Sequence, residues 1–296
     1  MRPLRVAMVC SRVRVEEKLL LEAFSGQHNL ELVRFDDDQF HASLTGPDEA
    51  GGPAGILRRC DVVLLRSLSH FRQVAIARVL NSWGIVTINR AEVLEICGDK
   101  LRTTLSLSEA GVPTPASRMA FGVPAGLEAV EALGYPCVVK PVTGSWGRLV
   151  SRLNDRDAAE AVLEHKAQLG GSLHRVIYLQ RHIDKPGRDL RAFVIGGRTV
   201  AVIGRRASHW VTNTARGAVA ERVAITDEVD GLCRAAATAV GGGALAVDLL
   251  ESAEGLLVNE VNATMEFRNS IGPTGVDIPA LLVAYTVAVA ESRRCA

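Results

Sequence analysis

Between Ala244 and Asn262 the chain spells two apolar runs, Leu245 to Leu250 and Leu256 to Val261, around Ser252-Ala253-Glu254-Gly255. This reads as two strands joined by a tight loop, with Gly255 supplying the left-handed turn position. A loop of Ala253, Glu254 and Gly255 pairs Ser252 with Leu256, and that register sets Asp248 opposite Glu260. Asn262 follows on the same face, because strand side chains alternate with period two. Two carboxylates facing each other across a ladder repel unless something neutralises them. A hard divalent cation is the expected solution. Asp248, Glu260 and Asn262 form an all-oxygen set suited to Mg2+, whose shell is usually shared with substrate phosphates. The alternative is a solvated acidic hairpin, and the flanking apolar runs weigh against it.

The rest of the composition narrows the classes. With 48% hydrophobic and 23% charged residues among 296, the chain can bury one large core or two to three small ones. A net charge of +1 gives no electrostatic case for nucleic acid or an anionic membrane as partner. No apolar run approaches the roughly 18 residues needed to span a bilayer. Val6 to Cys10 is too short for a signal segment and reads as a first strand. The six cysteines are scattered without any Cys-x-x-Cys pair, which fits buried free thiols in the cytoplasm and not a zinc site. Of 34 basic residues only five are lysines: Lys18, Lys100, Lys140, Lys166 and Lys185. Lys100 and Lys140 stand at element boundaries beside glycine or proline, where a compact ammonium has a use.

Strand and helix alternate at the start: Leu4 to Cys10, Val15 to Phe24, Leu30 to Phe35, a loop from Asp36 to Gly55, Asp61 to Arg66, Arg72 to Trp83, and Ile85 to Ile88. Such alternation gives a parallel sheet covered by helices. Ser11-Arg12-Val13-Arg14, after the first strand, lacks the G-x-G-x-x-G of dinucleotide folds. One helix is expected from Glu92 to Ala110, stopped by Gly111, Pro113 and Pro115. A smaller α+β unit follows, with a strand at Pro136 to Pro141 and a helix from Asp157 to Leu169. Strands dominate from Val176 to Ile203, and a helix from Ile278 to Ser292 closes the chain. The division is residues 1–90, 91–178 and 179–296.

Val138-Val139-Lys140-Pro141 places an ammonium at a strand end, just before the glycine loop Gly144-Ser145-Trp146-Gly147-Arg148-Leu149. Lys140 suits one phosphate as a point charge, and the loop N–H groups suit another. Gln180-Arg181-His182-Ile183 reads as a connector offering backbone groups to an adenine edge, or as an ordinary strand end. Asp189 and Arg191 share one strand face, either as an ion pair or as contacts to ribose and phosphate. Arg205, Arg206 and Arg216 add guanidinium forks matched to carboxylate and phosphate.

The succession Gly98-Asp99-Lys100, Val139-Lys140-Pro141, the Gly144 loop, Gln180, Asp189-Leu190-Arg191, Asn213, Asp248 and Glu260-Val261-Asn262 resembles the ATP-grasp superfamily. Within it the chain is similar to the RimK branch, and most to the LysX family. His209-Trp210 through Gly217, Asn262 through Ser270, and Thr274 through Pro279 carry the finer match.

The resemblance implies an α/β (α+β) fold, an N-terminal parallel-sheet domain followed by two α+β lobes that clamp ATP. It also implies a cytoplasmic carboxylate–amine ligase using ATP and Mg2+, with one or two ions. ATP would phosphorylate the side-chain carboxylate of the C-terminal glutamate of a small acidic amino-group carrier protein. The α-amine of 2-aminoadipate, or of glutamate or another amino acid, would then attack. Implied nucleotide contacts are Lys100, Lys140, residues 144–149, residues 180–183, Asp189, Arg191 and Asn213. Arg205 or Arg206 is implied as the catalytic cation. Arg216, Asn269, Ser270 and Thr274 are implied around the amino acid, and a homo-oligomer is expected. Other readings are a RimK-type ligase adding glutamate to a protein or peptide C-terminus, and a regulatory nucleotide-binding protein without ligase activity. Three departures stand out: Arg181 where relatives carry an acid, Arg66 to His70, and Ile271-Gly272-Pro273.

Overall fold

The computed structural model describes residues 2–45, 53–144, 147–171, 175–212 and 217–295. Three sheets follow one another along the chain. The first holds β1 (Leu4–Cys10), β2 (Leu30–Asp36), β3 (Val62–Leu65) and β4 (Val86–Ile88), all parallel, in the order β2-β1-β3-β4. The connecting helices are α1 (Val15–Ser25), α2 (Pro53–Arg58) and α3 (His70–Ser82). Alternate residues of β1 feed two cores. Val6, Met8 and Cys10 pack with Leu20 and Phe24 of α1, and Ala7 and Val9 with Ile76 and Leu80 of α3. Burial on both faces explains why this strand reads as a continuous apolar run. α2 begins inside the stretch expected as loop, because its Ala54 and Leu57 are fully buried.

The single helix expected from Glu92 to Ala110 is in fact two, α4 (Ala91–Cys97) and α5 (Lys100–Glu109). Asp99 is the physical reason. Its carboxylate accepts from the N–H groups of Leu101 (2.9 Å) and Arg102 (3.1 Å), a cap that starts a new helix. Lys100 thereby becomes the first residue of α5.

The second sheet is antiparallel, with β5 (Ser117–Phe121), β6 (Cys137–Lys140), β7 (Ser151–Leu153) and β8 (Val176–Arg181) in the order β5-β8-β6-β7. One face is covered by α6 (Val123–Leu133) and α7 (Arg156–Leu169), whose Val130 and Leu163 are fully buried. The third sheet is also antiparallel. It holds β9 (Arg188–Ile195), β10 (Arg198–Arg206), β11 (Val219–Arg222), β12 (Ala244–Ser252) and β13 (Gly255–Asn262), in the order β11-β10-β9-β12-β13. α8 (Asp227–Ala239) covers one face; Thr226 caps it and its first turn is acidic, as the helix dipole favours. α6 and α8 are absent from the expected element list.

After α9 (Arg268–Thr274), the last helix α10 (Ile278–Cys295) returns to the first sheet. Its Leu282, Val283 and Ala290 share a core with Met8 and Leu20. Among the described residues no single helix is long and apolar enough to cross a membrane; α9 and α10 pass that test only as a pair bent by 111°. All six cysteines are free.

Candidate active site

The hairpin of β12 and β13 turns one residue earlier than expected. Ser252 pairs with Gly255 and Glu251 with Leu256, so the loop is Ala253-Glu254 and the expected Ser252–Leu256 pair does not form. Gly255, at φ +120°, begins β13 instead of ending the loop. A bulge then restores the lost register: Leu249 faces Val258 and Asp248 faces Glu260, leaving Asn259 as the extra residue. The carboxylates face each other as anticipated, by a different route. The bulge also turns Asn259 into the cavity, where its Oδ1 accepts from Lys140 Nζ at 2.9 Å.

One face of the third sheet changes character along its length. Phe193, Ile195, Ala201, Ile203, Ala244 and Ala246 form the apolar end of that face. Further along the same strands stand Arg191, Asp189, Arg205 and Asp248. Arg191 lies directly opposite Asp248, and Asp189 directly opposite Arg205. Arg191 Nε and Nη2 donate to the two Asp248 oxygens at 2.7 and 2.8 Å. Arg205 Nε donates to Asp189 Oδ1 at 2.6 Å, and its Nη2 lies 3.2 Å from Asp248 Oδ2. Asp189 and Arg191 are therefore not partners of each other; each pairs with a neighbouring strand. Opposite charges directly across a ladder stabilise it.

These cations also answer the repulsion argument. Asp248 is neutralised by Arg191 and Arg205, and Glu260 by Lys100, whose Nζ lies 3.2 Å from Glu260 Oε1. A metal is thus not needed to hold the facing carboxylates together, which corrects the reason given for expecting one. Burial pushes the Asp248 carboxyl up, but the two guanidiniums outweigh it and hold it below the usual carboxylate range.

Three of the five lysines line the cavity. Lys100 Nζ donates to Gly144 O at 2.9 Å, tying α5 to the glycine loop. Lys140 Nζ donates to Gln180 Oε1 at 2.6 Å as well as to Asn259. Burial drives Lys140 down to about 8; nearby Glu260 opposes that fall, and Lys100 and Lys185 deepen it. Lys185, which the sequence argument left unused, donates to Thr212 Oγ1 at 2.6 Å and lies 3.6 Å from Asp189. Burial lowers it too.

The cavity, about 570 Å³, is bounded by the second and third sheets and by the β3–α3 end of the first. That volume is ordinary for a small-molecule site. Gly144, Gly147, Arg148 and residues 180–183 line it, as do Asp189, Arg191, Arg205, Asn269 and Ser270. In the connector, the N–H groups of Arg181 and His182 are engaged by the Ala116 and Pro136 carbonyls at 2.8 and 3.3 Å. Those two N–H groups are not free for a base. Gly147 sits at φ +63°, and a Cβ there would meet Val211 Cγ1 at 3.1 Å, so the glycine loop approaches the segment after β10 closely. Nearby, Trp210 lies between Arg152 at 5.8 Å and the His182 ring at 5.9 Å.

Three candidates lie elsewhere. Arg206 points out of the sheet to Glu221 at 3.2 Å, because it alternates with the buried Arg205. Leu149 is 71% exposed at φ +57°. Thr274 is buried at the end of α9, where its hydroxyl donates to Ser270 O at 2.6 Å. Ser145, Trp146, Asn213 and Arg216 lie outside the described residues. Among the residues lining the cavity, sequence reasoning gave no site role to Asn259 or Lys185, and it named Ser67 and His70 only within the departing segment Arg66 to His70. Scarcity of lysine was an available signal for Lys185; nothing local marked Asn259, whose orientation depends on the bulge.

The donor set fits Mg2+. Asp248, Glu260 and Asn262 all line the cavity, and each offers a side-chain oxygen of the kind Mg2+ takes. A carboxylate offers about four lone-pair sites. The Arg191 and Arg205 contacts engage three on Asp248, leaving room for an ion.

Lysines and a glycine loop thus stand between two antiparallel sheets, with an acidic hairpin opposite. The RimK-like ATP-grasp domain matches residues 97–286, and the LysX pre-ATP-grasp domain matches residues 6–96. The glutamate–LysW ligase ArgX of Sulfolobus acidocaldarius is 32% identical over 288 residues, 95% of this chain and 98% of that protein. The α-aminoadipate–LysW ligase LysX of Sulfurisphaera tokodaii is 35% identical over 225 residues, 75% of this chain and 79% of that one. Among solved structures, the RimK-domain ATP-grasp protein of Sphaerobacter thermophilus superposes with a TM-score of 0.79 at 29% identity, over 96% of this chain and 99% of that one. The chain belongs to the RimK-like ATP-grasp family and carries a LysX-type pre-ATP-grasp domain.

Proposed function

We propose that this enzyme joins the α-amine of an acidic amino acid to the side-chain carboxylate of the C-terminal glutamate of a small acidic carrier protein of the LysW kind. ATP is spent through an acyl phosphate. The observation that carries the reading is the cationic site itself: Lys100, Lys140, Lys185, Arg191 and Arg205 converge on one cavity with Asp248 and Glu260. Such a site suits a triphosphate and a second carboxylate at once. The two relatives described above act on glutamate and on α-aminoadipate, which differ by one methylene. One methylene is worth only about 1–3 kcal/mol of discrimination in a pocket. We therefore assign the class, an α-amino dicarboxylic acid, with 2-aminoadipate and glutamate as its members.

Lys100 and Lys140 hold the phosphate chain, and the glycine loop covers it. Asp248, Glu260 and Asn262 would hold Mg2+, which when bound neutralises the phosphates and orients the transferring group. The carboxylate of the carrier attacks the terminal phosphorus, and ADP leaves. Arg205, buried and fixed by Asp189, faces the charge that develops on the acyl oxygen when the amine attacks. The amine needs no side-chain nucleophile.

Two readouts test this. ADP release should require both a carrier ending in glutamate and one of the two amino acids. Heavy oxygen placed in the carrier's side-chain carboxylate should appear in the inorganic phosphate. ADP release that depends on neither, or label that stays wholly in the carrier, contradicts the acyl phosphate reading.

A further inference from the structure

The attacking amine enters as an ammonium ion and must lose a proton before its lone pair can react. The cavity runs from the connector at Gln180, past Lys140 and Lys100, to a wall built by the β3–α3 segment. If the base of ATP lies at the connector and its phosphates at the lysines, the acyl centre and the amine lie toward that wall. This argument rests on the ligase reading above.

At the wall, nearly every ionisable side chain is already engaged. Arg14 pairs with Glu17 and Glu266 at 3.0 Å, Glu16 lies 3.8 Å from Arg268, and Lys100 binds Glu260. Burial pushes the Cys97 thiol far above its ordinary range, so it is no base. His70 is different. It is the first residue of α3, it lines the cavity, and it makes no hydrogen bond or ion pair among the described residues. Its ring packs against Gly98, where a Cβ would sit 1.9 Å from Cε1 and 2.1 Å from Nε2. Gly98 is two residues before Lys100, so the imidazole packs against the α4–α5 junction that also carries this lysine. Ser67, just upstream on the same wall, has a buried hydroxyl without a partner. An unpaired buried hydroxyl at this end points to a polar ligand group there.

We propose that His70 is the base that takes the proton from the incoming α-ammonium group. One N–H proton passes to an imidazole nitrogen, and the freed lone pair forms the C–N bond. The acyl C–O bond to phosphorus-bound oxygen then breaks with its electron pair, and the departing phosphate takes up the second amine proton. The groups around His70 leave it able to act: burial lowers its pKa, while Asp99 and Glu95, at the α4–α5 junction and on α4, oppose that fall. A base neutral near pH 7 is the form that general-base catalysis uses.

The test compares wild-type protein with His70→Gln, using the carrier, ATP and magnesium, and two nucleophiles: the amino acid, and hydroxylamine, which is unprotonated at neutral pH. Amide formation by His70→Gln should fall by about 100-fold or more, while carrier hydroxamate forms at the wild-type rate. The acid limb of the wild-type pH profile for amide formation should also move up in the variant, toward the range in which the free α-amine itself loses its proton. Amide formation at the wild-type rate overturns the proposal. So does an equal loss of amide and hydroxamate, which would place His70 in the activation step or in the fold. If wild-type protein yields neither product, the ligase reading fails first and this proposal with it.

Discussion

Arg191 and Asp248 face each other across β9 and β12, joined by hydrogen bonds of 2.7 and 2.8 Å, with Arg205 3.2 Å away on the next strand. Asp248 is thus both a metal donor candidate and the counter-charge of two arginines, one of them 5% exposed. Removing one member of a buried ion pair costs about 3–5 kcal/mol, because the partner is left uncompensated. Asp248→Ala should therefore abolish turnover and also lower the thermal midpoint sharply. Glu260 is 25% exposed and meets a lysine, so Glu260→Gln should abolish turnover with little change in the midpoint. Differential scanning fluorimetry beside an ADP assay separates the two, and equal midpoints for both variants would contradict the ladder's structural role.

The bulge gives Asn259 its task. Its Oδ1 is one of the two acceptors that fix Lys140. A hydrogen bond to a charged group is worth about 1.5–3 kcal/mol. Asn259→Leu should weaken ATP binding by about tenfold or more while leaving the stability of the rest of the sheet intact. Calorimetric titration of ATP into the variant checks this.

Lys140 also sets a pH dependence. Burial holds it to about 8 against an ordinary 10.5, and the phosphates of ATP raise it again. ATP binding should therefore take up a proton between those values, and affinity should fall as pH rises through about 8. Titration in two buffers of different ionisation enthalpy reads the uptake, and Lys140→Arg should remove it. The stability term has the opposite sense. The unfolded chain holds more protons across the window from about 8 to 10.5, so the cost of burying this ammonium is full below it and disappears as pH rises through it.

Gly98 adopts right-handed backbone angles that alanine accepts, at φ −81° and ψ −8°. The three nearest atoms that a Cβ there would meet all belong to the His70 ring. Gly98→Ala should expel the ring and cut amide formation as His70→Gln does. In a His70→Ala background the same change should cost nothing further, a non-additivity expected of residues in contact. Steady-state rates of the two single variants and the double variant complete the cycle; simple additivity would contradict the contact.

Much of this site was legible in sequence because it sits on strands, where period two decides which side chains share a face. Asp248, Glu260 and Asn262 were placed on one face that way, and the parallel sheet of the first ninety residues followed from alternating apolar runs. The same rule, applied once more, separates Arg205 from Arg206. What escaped reading depends on longer-range facts. The turn at Ala253-Glu254 and the compensating bulge at Asn259 cancel, so the carboxylate pairing is correct although the register at the turn is not. The break before Lys100 depends on the Asp99 side chain capping a new helix, and α6 and α8 owe their places to packing under the sheets. His70 was marked only as the end of the departing segment Arg66 to His70, since its packing against the Gly98 backbone leaves no local pattern.

The central claim concerns what is joined to what. Purified protein, ATP and magnesium should be incubated with a carrier ending in glutamate and either 2-aminoadipate or glutamate, and the carrier's intact mass read. The account predicts a gain of one amino acid residue, located by fragmentation on the side chain of the terminal glutamate and absent with Glu260→Gln. A carrier left unmodified while a peptide lacking the carrier's fold is extended with glutamate at its C-terminus would contradict it and favour the RimK-type reading. Tight ATP binding without turnover on any acceptor would contradict both.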